Sequence, residues 1–504
     1  MNKYVKAPEC ITYSECKKKN STLSSSRYIQ LQIKNKNVRE LRTFLIKKLS
    51  NEDLGSEIGS LSYVKKSTHY FLRTKALQDS SFIPVITSES ALPMIPKDFI
   101  NKSLSEGDLI ISKDSNIGEA VILDRDYHNY MLSGAIYRLP VDENWKYYVF
   151  AFIKNDLFRE QLDFLVPKGA TLRHAKTLFL DCKIPLPNKN EKLIVEYISA
   201  ITKQICKKEK LIIENHKKIM KLIDDEINNN QLDKEFEYKL PTYKEVSKMG
   251  RLDSGMYSDF YKKKIFTVLN YKNGNAPLTE QGLELIPGPS LEIKILGTRI
   301  DSDKYIHGFN RLITPKQITN YGTVKFEKYI GTPYKIKNIK FGDILFGESG
   351  TGRTMVFLDN DNITINNAHA HILRDNSLSK DSLPKLITIR SILQYYKEIG
   401  ITDCMTVGGS GGHLSPSYFN RIYIPNFPKS TQEKITMLYY GSDLAYNPSE
   451  FLEMNDFIKY DNEYNSKVGI YELDKTAKFL KNLLDNAISR IANDEDIVFF
   501  KEDK

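Results

Sequence analysis

Three stretches of the chain place side chains at spacings that chemistry uses. Gly347-Glu348-Ser349-Gly350-Thr351-Gly352-Arg353-Thr354 nearly spells the phosphate-binding loop G-x-x-x-x-G-K-[ST], in which a helix N-terminus holds phosphate. Arg353 stands where the lysine would reach the terminal phosphates, and Met355-Val356-Phe357-Leu358 continues as a strand. A β-turn is therefore expected, with an NTPase as a remote alternative. His369 and His371 lie two apart on an expected strand and would share a face. They offer two zinc ligands with no third, so a packed or solvent-facing pair is the plainer reading. Asn447-Pro448-Ser449-Glu450 falls short of Asn-Pro-Pro-aromatic, the adenine-methylating motif, and no glycine-rich cofactor loop precedes it. No nucleophile, base and orienter stand in a recognisable pattern. The chain is expected to bind and not to catalyse, with no metal and no cofactor of its own.

Polar loops suggest what it binds. Lys113, Ser115 and Asn116 follow one apolar run; Ser349, Thr351 and Arg353 follow another. A second set precedes two proline motifs: Lys168, Thr171, Arg173, His174 and Lys176, then Ser410, His413 and Ser415. Gly408-Gly409-Ser410-Gly411-Gly412 would let backbone approach a phosphate closely. Arg, Lys, Asn and Gln read base edges in the major groove, while phosphate contacts set register. These residues are the candidate DNA contacts; an ordinary exposed loop would have the same composition. The net charge of +10, from 73 Lys+Arg against 63 Asp+Glu, fits phosphate neutralisation and equally a lysine-rich soluble surface.

The elements that position these loops are written twice. Residues 107–126 and 342–361 each read Gly-Asp, an apolar strand, a small polar turn with Gly, a second apolar strand and an acidic turn. They begin 235 residues apart, at 107 and 342. Ile184-Pro185-Leu186-Pro187 precedes Glu191-Lys192 and a helix; Ile424-Pro425-Asn426-Phe427-Pro428 precedes Glu433-Lys434 and another, 240 residues on. So long a period means tandem domains and not a solenoid.

Short apolar runs bounded by turn residues read as strands: Phe82–Ile86, Leu109–Ile111, Ala120–Leu123 and Ala135–Leu139, then Ile293–Gly297, Leu345–Phe346, Val356–Leu358 and Ala370–Leu373. Tyr147–Phe158 and Leu386–Tyr396 read as helices. From Lys189 to Asn228 there is neither Pro nor Gly, and Ile194, Tyr197, Ile198, Ile201, Ile205, Ile212, Ile219 and Ile223 recur at helical steps. So long a helix needs a partner along its length. A second helical stretch starts at Thr431, is interrupted by Tyr446-Asn447-Pro448 and a polar segment to about Lys467, and resumes near Tyr471. The fold class expected is mixed α/β (α+β). The domains are 1–188, a first recognition unit; 189–230, a spacer helix; 231–247, a charged linker; 248–428, a second recognition unit; and 429–504, a second spacer helix region with an insertion near 446–467.

Apolar content of 41% and charged content of 27% fit a soluble globular protein. No run approaches a membrane span, the N-terminus lacks a secretory apolar region, and five scattered cysteines without a CxxC pair fit reduced thiols in a cytoplasm.

This layout resembles the specificity subunit of type I restriction–modification systems. The residues that match are Gly107-Asp108 with its Ile117-Gly118 turn, Gly342-Asp343 with its Gly350-Thr351-Gly352 turn, Ile-Pro-Leu-Pro at 184–187 leading into a helix, and Arg251-Leu252-Asp253-Ser254 opening the second unit. The departures are Asn-Phe-Pro in the second proline motif and the insertion around Pro448. The resemblance implies two target-recognition domains alternating with, separated and joined by, long antiparallel helices that act as a ruler between half-sites. It implies a non-catalytic subunit that reads a bipartite, asymmetric sequence in double-stranded DNA. Its partners would be two methyltransferase subunits, which carry S-adenosylmethionine, and a restriction translocase subunit, serving phage defence in the cytoplasm. The specificity chain of a bipartite restriction enzyme or of a related phage-defence methyltransferase, and a coiled-coil scaffold with two protein-binding domains, remain alternatives.

Overall fold

The structure is a computed structural model. It describes residues 3–500 except 7, 19–20, 22, 24–27, 166–175, 349–351, 378, 380–381, 408–411, 442–443 and 449–452. The chain forms two compact units: 1–210 with 445–466 and 475–504, and 211–444 with 467–474.

In the first unit the run Leu109-Ile110-Ile111 becomes strand β4 (Leu109–Ser112), preceded by β1 (Val38–Glu40), β2 (His69–Leu72) and β3 (Ala91–Met94), and followed by β5 (Ala120–Ile122), β6 (Tyr130–Leu132), β7 (Ile136–Leu139) and β8 (Lys183–Pro185). The run is apolar throughout because both faces are covered: Leu109 and Ile111 enter one core cluster and Ile110 another. β4 pairs antiparallel with β5 and with β7; β2 pairs antiparallel with β3 and parallel with β6. β8 pairs with β1, so the Ile184-Pro185 motif is an edge pairing that closes the unit.

The second unit repeats this frame. Its strands are β9 (Asn275–Pro277), β10 (Glu284–Ile286), β11 (Ile300–Ser302), β12 (Asn310–Leu312), β13 (Tyr329–Gly331), β14 (Ile344–Gly347), β15 (Thr354–Val356), β16 (Thr364–Ile365), β17 (Ala370–Arg374) and β18 (Tyr423–Pro425). β14 pairs antiparallel with β15 and β17; β12 pairs antiparallel with β13 and parallel with β16; β18 pairs with β9. The strands β10 and β11 extend the two sheets at β17 and β13. In the first unit single bridges stand there, Leu54–Tyr137 and Tyr63–Met94. The duplication read from motifs is thus a duplication of strand pairing, parallel crossover included.

Among the helices of the described residues are α1 (Lys146–Lys154), α2 (Asp156–Leu165), α3 (Glu191–Asn229), α4 (Leu383–Glu398), α5 (Lys429–Tyr439), α6 (Met454–Asn465) and α7 (Ile470–Asn493). The 39 residues of α3 span about 58 Å at 1.5 Å per residue. In the first unit Ile194, Tyr197, Ile198, Ile201 and Ile205 of α3 join Leu480, Leu484, Ile488 and Ile491 of α7 in one core. The two run antiparallel: Glu209 meets Lys481 at 2.6 Å at one end, and Lys189 meets Asp496 at 3.4 Å at the other. In the second unit the rest of α3 meets α4 through His216 and Glu398 (2.6 Å), and α5 through Glu226 and Thr431 (3.0 Å).

Several local expectations are corrected. Phe82–Ile86, buried at its first three residues, is not a strand, because the Phe82 and Ile83 amides donate to the Glu209 carboxylate and not to a ladder. Ile293–Leu296 is a short helix that ends at Gly297 (φ +73°), not a strand. Tyr147–Phe158 is two helices, parted at Asn155, whose side chain accepts from the Leu157 amide. The linker carries a helix, Tyr243–Met249, started by a Thr242/Glu245 capping box. The polar segment before Lys467 is α6, and it is anchored on α3. Lys208 and Asp461, both fully buried, meet at 2.7 Å. Asn465 accepts from the same lysine at 2.6 Å, the Tyr446 hydroxyl donates to Asp461 at 2.7 Å, and the Lys208 ammonium lies over the rings of Tyr446 and Tyr464.

Candidate nucleic-acid interface

The Gly-Asp motifs build the base of each hairpin turn. Gly107 and Gly342 both take φ +85°, a left-handed backbone that glycine adopts without a Cβ clash. Their amides donate to Leu123 and Phe357, whose amides donate back to the carbonyls of Asp108 and Asp343. Each aspartate is then clamped by an arginine of the third strand. Asp343 takes two bonds from Arg374 at 2.8 and 2.6 Å, and Asp108 one from Arg138 at 3.4 Å. The aspartates are therefore structural.

The turns above them share a backbone network. Gly118 donates to Ser112, and Gly352 to Gly347. Lys113 donates to Ala135 through its amide, and Glu348 to His369. By this network Lys113 corresponds to Glu348 and Glu119 to Arg353. Beneath each hairpin a helix supplies a buried cation to the same carbonyl position. Lys154 of α1 reaches Ala120 O at 3.3 Å and Gln78 O at 2.7 Å. Arg390 of α4 reaches Thr354 O and Asn320 O, each at 3.0 Å. Burial pushes the Lys154 ammonium down to about 8 against the pull of Glu119, and burial lowers Arg390 as well.

The candidate contacts take different places in this frame. Lys113 is half-buried beside Asp114 (3.6 Å). Ser115 is exposed at φ +62°. Asn116 is exposed, but its side-chain amide donates to the Thr74 and Leu77 carbonyls at 3.4 and 3.3 Å, which fixes its position. Lys176 is exposed at φ +48°. Arg353 is half-buried; Nη1 donates to Ile318 O at 3.2 Å, and Nε is buried without a partner. His413 is exposed and bonds through its backbone to Val407 in both directions. Ser415 caps the 3₁₀ turn Pro416–Arg421 by accepting from the Ser417 amide. Lys168, Thr171, Arg173, His174, Ser349, Thr351 and Ser410 lie outside the described residues.

His369 and His371 do not share a face. His369 lies in the exposed turn before β17, whereas His371 lies within β17 and is buried. Among the described residues no three His, Cys, Asp or Glu side chains gather as a metal site. Strands β14 and β15 flank the near phosphate loop and pair antiparallel, so no helix N-terminus stands there to hold phosphate. Sequence reasoning missed Glu348. Its carboxylate accepts from His371 Nε2 at 3.2 Å, and His413 Nδ1 lies 3.2 Å from its other oxygen. Its backbone bonds the His369 carbonyl and the Leu414 amide. The signal was present only as an acidic residue in a glycine-serine turn.

No helix among the described residues is long and apolar enough to cross a membrane. Residues 55–215 match the family model of the type I restriction modification DNA specificity domain. Among solved structures the chain is similar to the type I restriction–modification S subunit from M. genitalium, with 13% identity, 90% of this chain and 95% of that chain covered, and a TM-score of 0.40. It is also similar to a chain solved for complex assembly and conformational transition of the type I R-M system (12% identity, 92% and 99% covered, TM-score 0.27). A third likeness is to the HsdS subunit from Thermoanaerobacter tengcongensis (12% identity, 91% and 97% covered, TM-score 0.25). No curated protein matches the chain. Residues 55–215 thus match a type I restriction modification DNA specificity domain, a domain that gives such systems their DNA sequence specificity.

Proposed function

We propose that the chain is the non-catalytic recognition subunit of a cytoplasmic restriction–modification complex, and that each unit reads one half of a bipartite, asymmetric sequence in double-stranded DNA. Two methyltransferase subunits, carrying S-adenosylmethionine, would modify the site, and a restriction translocase subunit would act on unmodified DNA. The observation that carries this reading is the repeated frame. The matched specificity domain lies in the first unit, and the second unit reproduces its strand pairing around the Gly-Asp turn. Two equal frames with unequal loop side chains are suited to two unequal half-sites, because base edges are read by side chains and not by the scaffold.

The candidate contacts for the first half-site are Lys113, Ser115, Asn116, Lys168, Thr171, Arg173, His174 and Lys176. For the second they are Ser349, Thr351, Arg353, Ser410, His413 and Ser415. The test is to co-express the full chain with its methyltransferase subunits and sequence the methylated bases of the host DNA. Methylation at a split, asymmetric sequence that disappears when the chain is deleted is expected. Methylation that persists without the chain, or at a single unsplit or symmetric sequence, contradicts the reading.

A further inference from the structure

The carboxylate of Glu348 is joined to more segments of the second unit than any chemistry assigned so far requires. Its amide donates to the carbonyl of His369 at 2.9 Å, and its carbonyl accepts from the amide of Leu414 at 3.1 Å. Its two carboxylate oxygens divide between two histidines, Oε2 to His371 and Oε1 to His413. The side chain of Glu348 is 18% exposed, that of His371 9%, and that of His413 51%. A carboxylate only accepts, so His371 donates from Nε2, while His413 Nδ1 stands at ion-pair distance, 3.2 Å, from the other oxygen. The His371 ring is fixed on its other side, where it packs edge-on against Phe419, and Phe419 packs against Phe346 of β14. Among the described residues His413 faces Glu348 and pairs through its backbone with Val407. With Nδ1 facing Glu348, Nε2 is the other hydrogen-bonding atom of this half-exposed ring.

We propose that Glu348 is a positioning residue for DNA recognition: by clasping His371 and His413 it seats residues 412–415 on the β14 turn and presents His413 Nε2 to a base edge of the second half-site. The position is specific to this unit. Its counterpart in the first unit is Lys113, a cation beside Asp114. This inference rests on the bipartite reading above and adds a residue to it.

The experiment measures selection from DNA pools with one half-site randomised at a time, using the full chain in complex with its methyltransferase subunits. The variants are Glu348→Gln, which keeps the side-chain shape, and His413→Ala, on an exposed residue that contributes little to the core. A charge-assisted hydrogen bond of ordinary strength corresponds to about a tenfold effect or more. Both variants are expected to lose about tenfold discrimination at the same base pair of the second half-site, with the first half-site read as before and the melting temperature of His413→Ala unchanged. Wild-type discrimination in both variants overturns the proposal. So does equal weakening on every sequence, which would make His413 a phosphate contact, and so does loss of both half-sites together. A wild-type complex that selects no sequence would instead remove the bipartite reading, and this inference with it.

Discussion

The turn after β4 and the turn after β14 are built on the same backbone bonds, yet their side chains carry opposite charge. Lys113 stands where Glu348 stands, and Glu119 where Arg353 stands. Glu119 lies between Lys154 and Arg159, at 3.5 and 3.4 Å, whereas Arg353 bonds a carbonyl of its own unit. The glycine and aspartate beneath the turn are the same in both. The comparison separates two roles within twenty residues: backbone bonds and the Asp–Arg clamp hold the frame, while the side chains above them are free to change sign. A frame that tolerates such inversion suits a protein whose targets diversify while its fold does not.

The two units also differ in how they grip α3, and the largest expected effect lies there. The first unit uses the buried Lys208–Asp461 pair, and burial lowers Lys208 despite that partner. Asp461→Ala would leave the ammonium buried and alone, at a cost of about 3–5 kcal/mol in denaturant unfolding. Replacing both with apolar residues, Lys208→Met with Asp461→Leu, should recover most of it. The second unit uses His216 and Glu398. Burial opposes the charge of Glu398, but hydrogen bonds from His216 and Gln394 outweigh it and hold the carboxyl below its ordinary range. Glu398→Gln should cost less than Asp461→Ala, because its side chain is one-third exposed.

The buried cations under the hairpins sharpen the comparison through pH. Lys154 is held near 8 in the folded chain, below its ordinary 10.5, so the folded state binds fewer protons than the unfolded state between those values. Stability contributed there is present above the unfolded value and is lost as pH falls through 8. Unfolding free energy should therefore rise by at most about 3 kcal/mol from pH 8 to 10.5, and Lys154→Met should flatten that rise. Arg390, its counterpart, stays protonated across the window and adds no slope.

The clamps should rank by their geometry. Asp343 is buried and takes two bonds from Arg374 and one from the Lys340 amide; Asp108 is partly exposed and takes one from Arg138 and one from the Ser105 amide. Asp343→Ala is expected to cost about 2–3 kcal/mol and Asp108→Ala about 1 kcal/mol by thermal or denaturant melts. At the turns themselves, a Cβ on Gly118 would overlap the Leu162 side chain at φ +80°, whereas on Gly352 the nearest atom is 3.6 Å away. Gly118→Ala should cost about 1–3 kcal/mol and Gly352→Ala about 1 kcal/mol, with backbone strain common to both.

Much of the frame was legible because it rests on local signals. The Gly-Asp pairs, the two-face apolar run Leu109–Ile111 and the uninterrupted period from Ile194 to Ile223 are all visible in the chain, and the structure has the turns, β4 and α3 at those places. What was illegible depends on distant partners. Helix α6 was missed because it buries Asp461 and Asn465, which a pattern of apolar positions counts as solvent-facing. Phe82–Ile86 was misread because Glu209, on α3, takes the amides a strand partner would take. Glu348 escaped because its meaning comes from His371 and His413, which tertiary structure brings to it. Arg353 and His413 are both polar residues of glycine-rich loops, and nothing local distinguishes an arginine turned back to Ile318 from a histidine set at the surface.

The central claim, two readers on one frame, is tested most directly by exchanging residues 1–188 for the corresponding domain of a relative with a known target and sequencing the methylated bases in cells that also make the methyltransferase subunits. The account predicts that one half-site changes to the relative's and the other stays as in the parent. A methylation pattern in which both halves change together, or neither does, would contradict it.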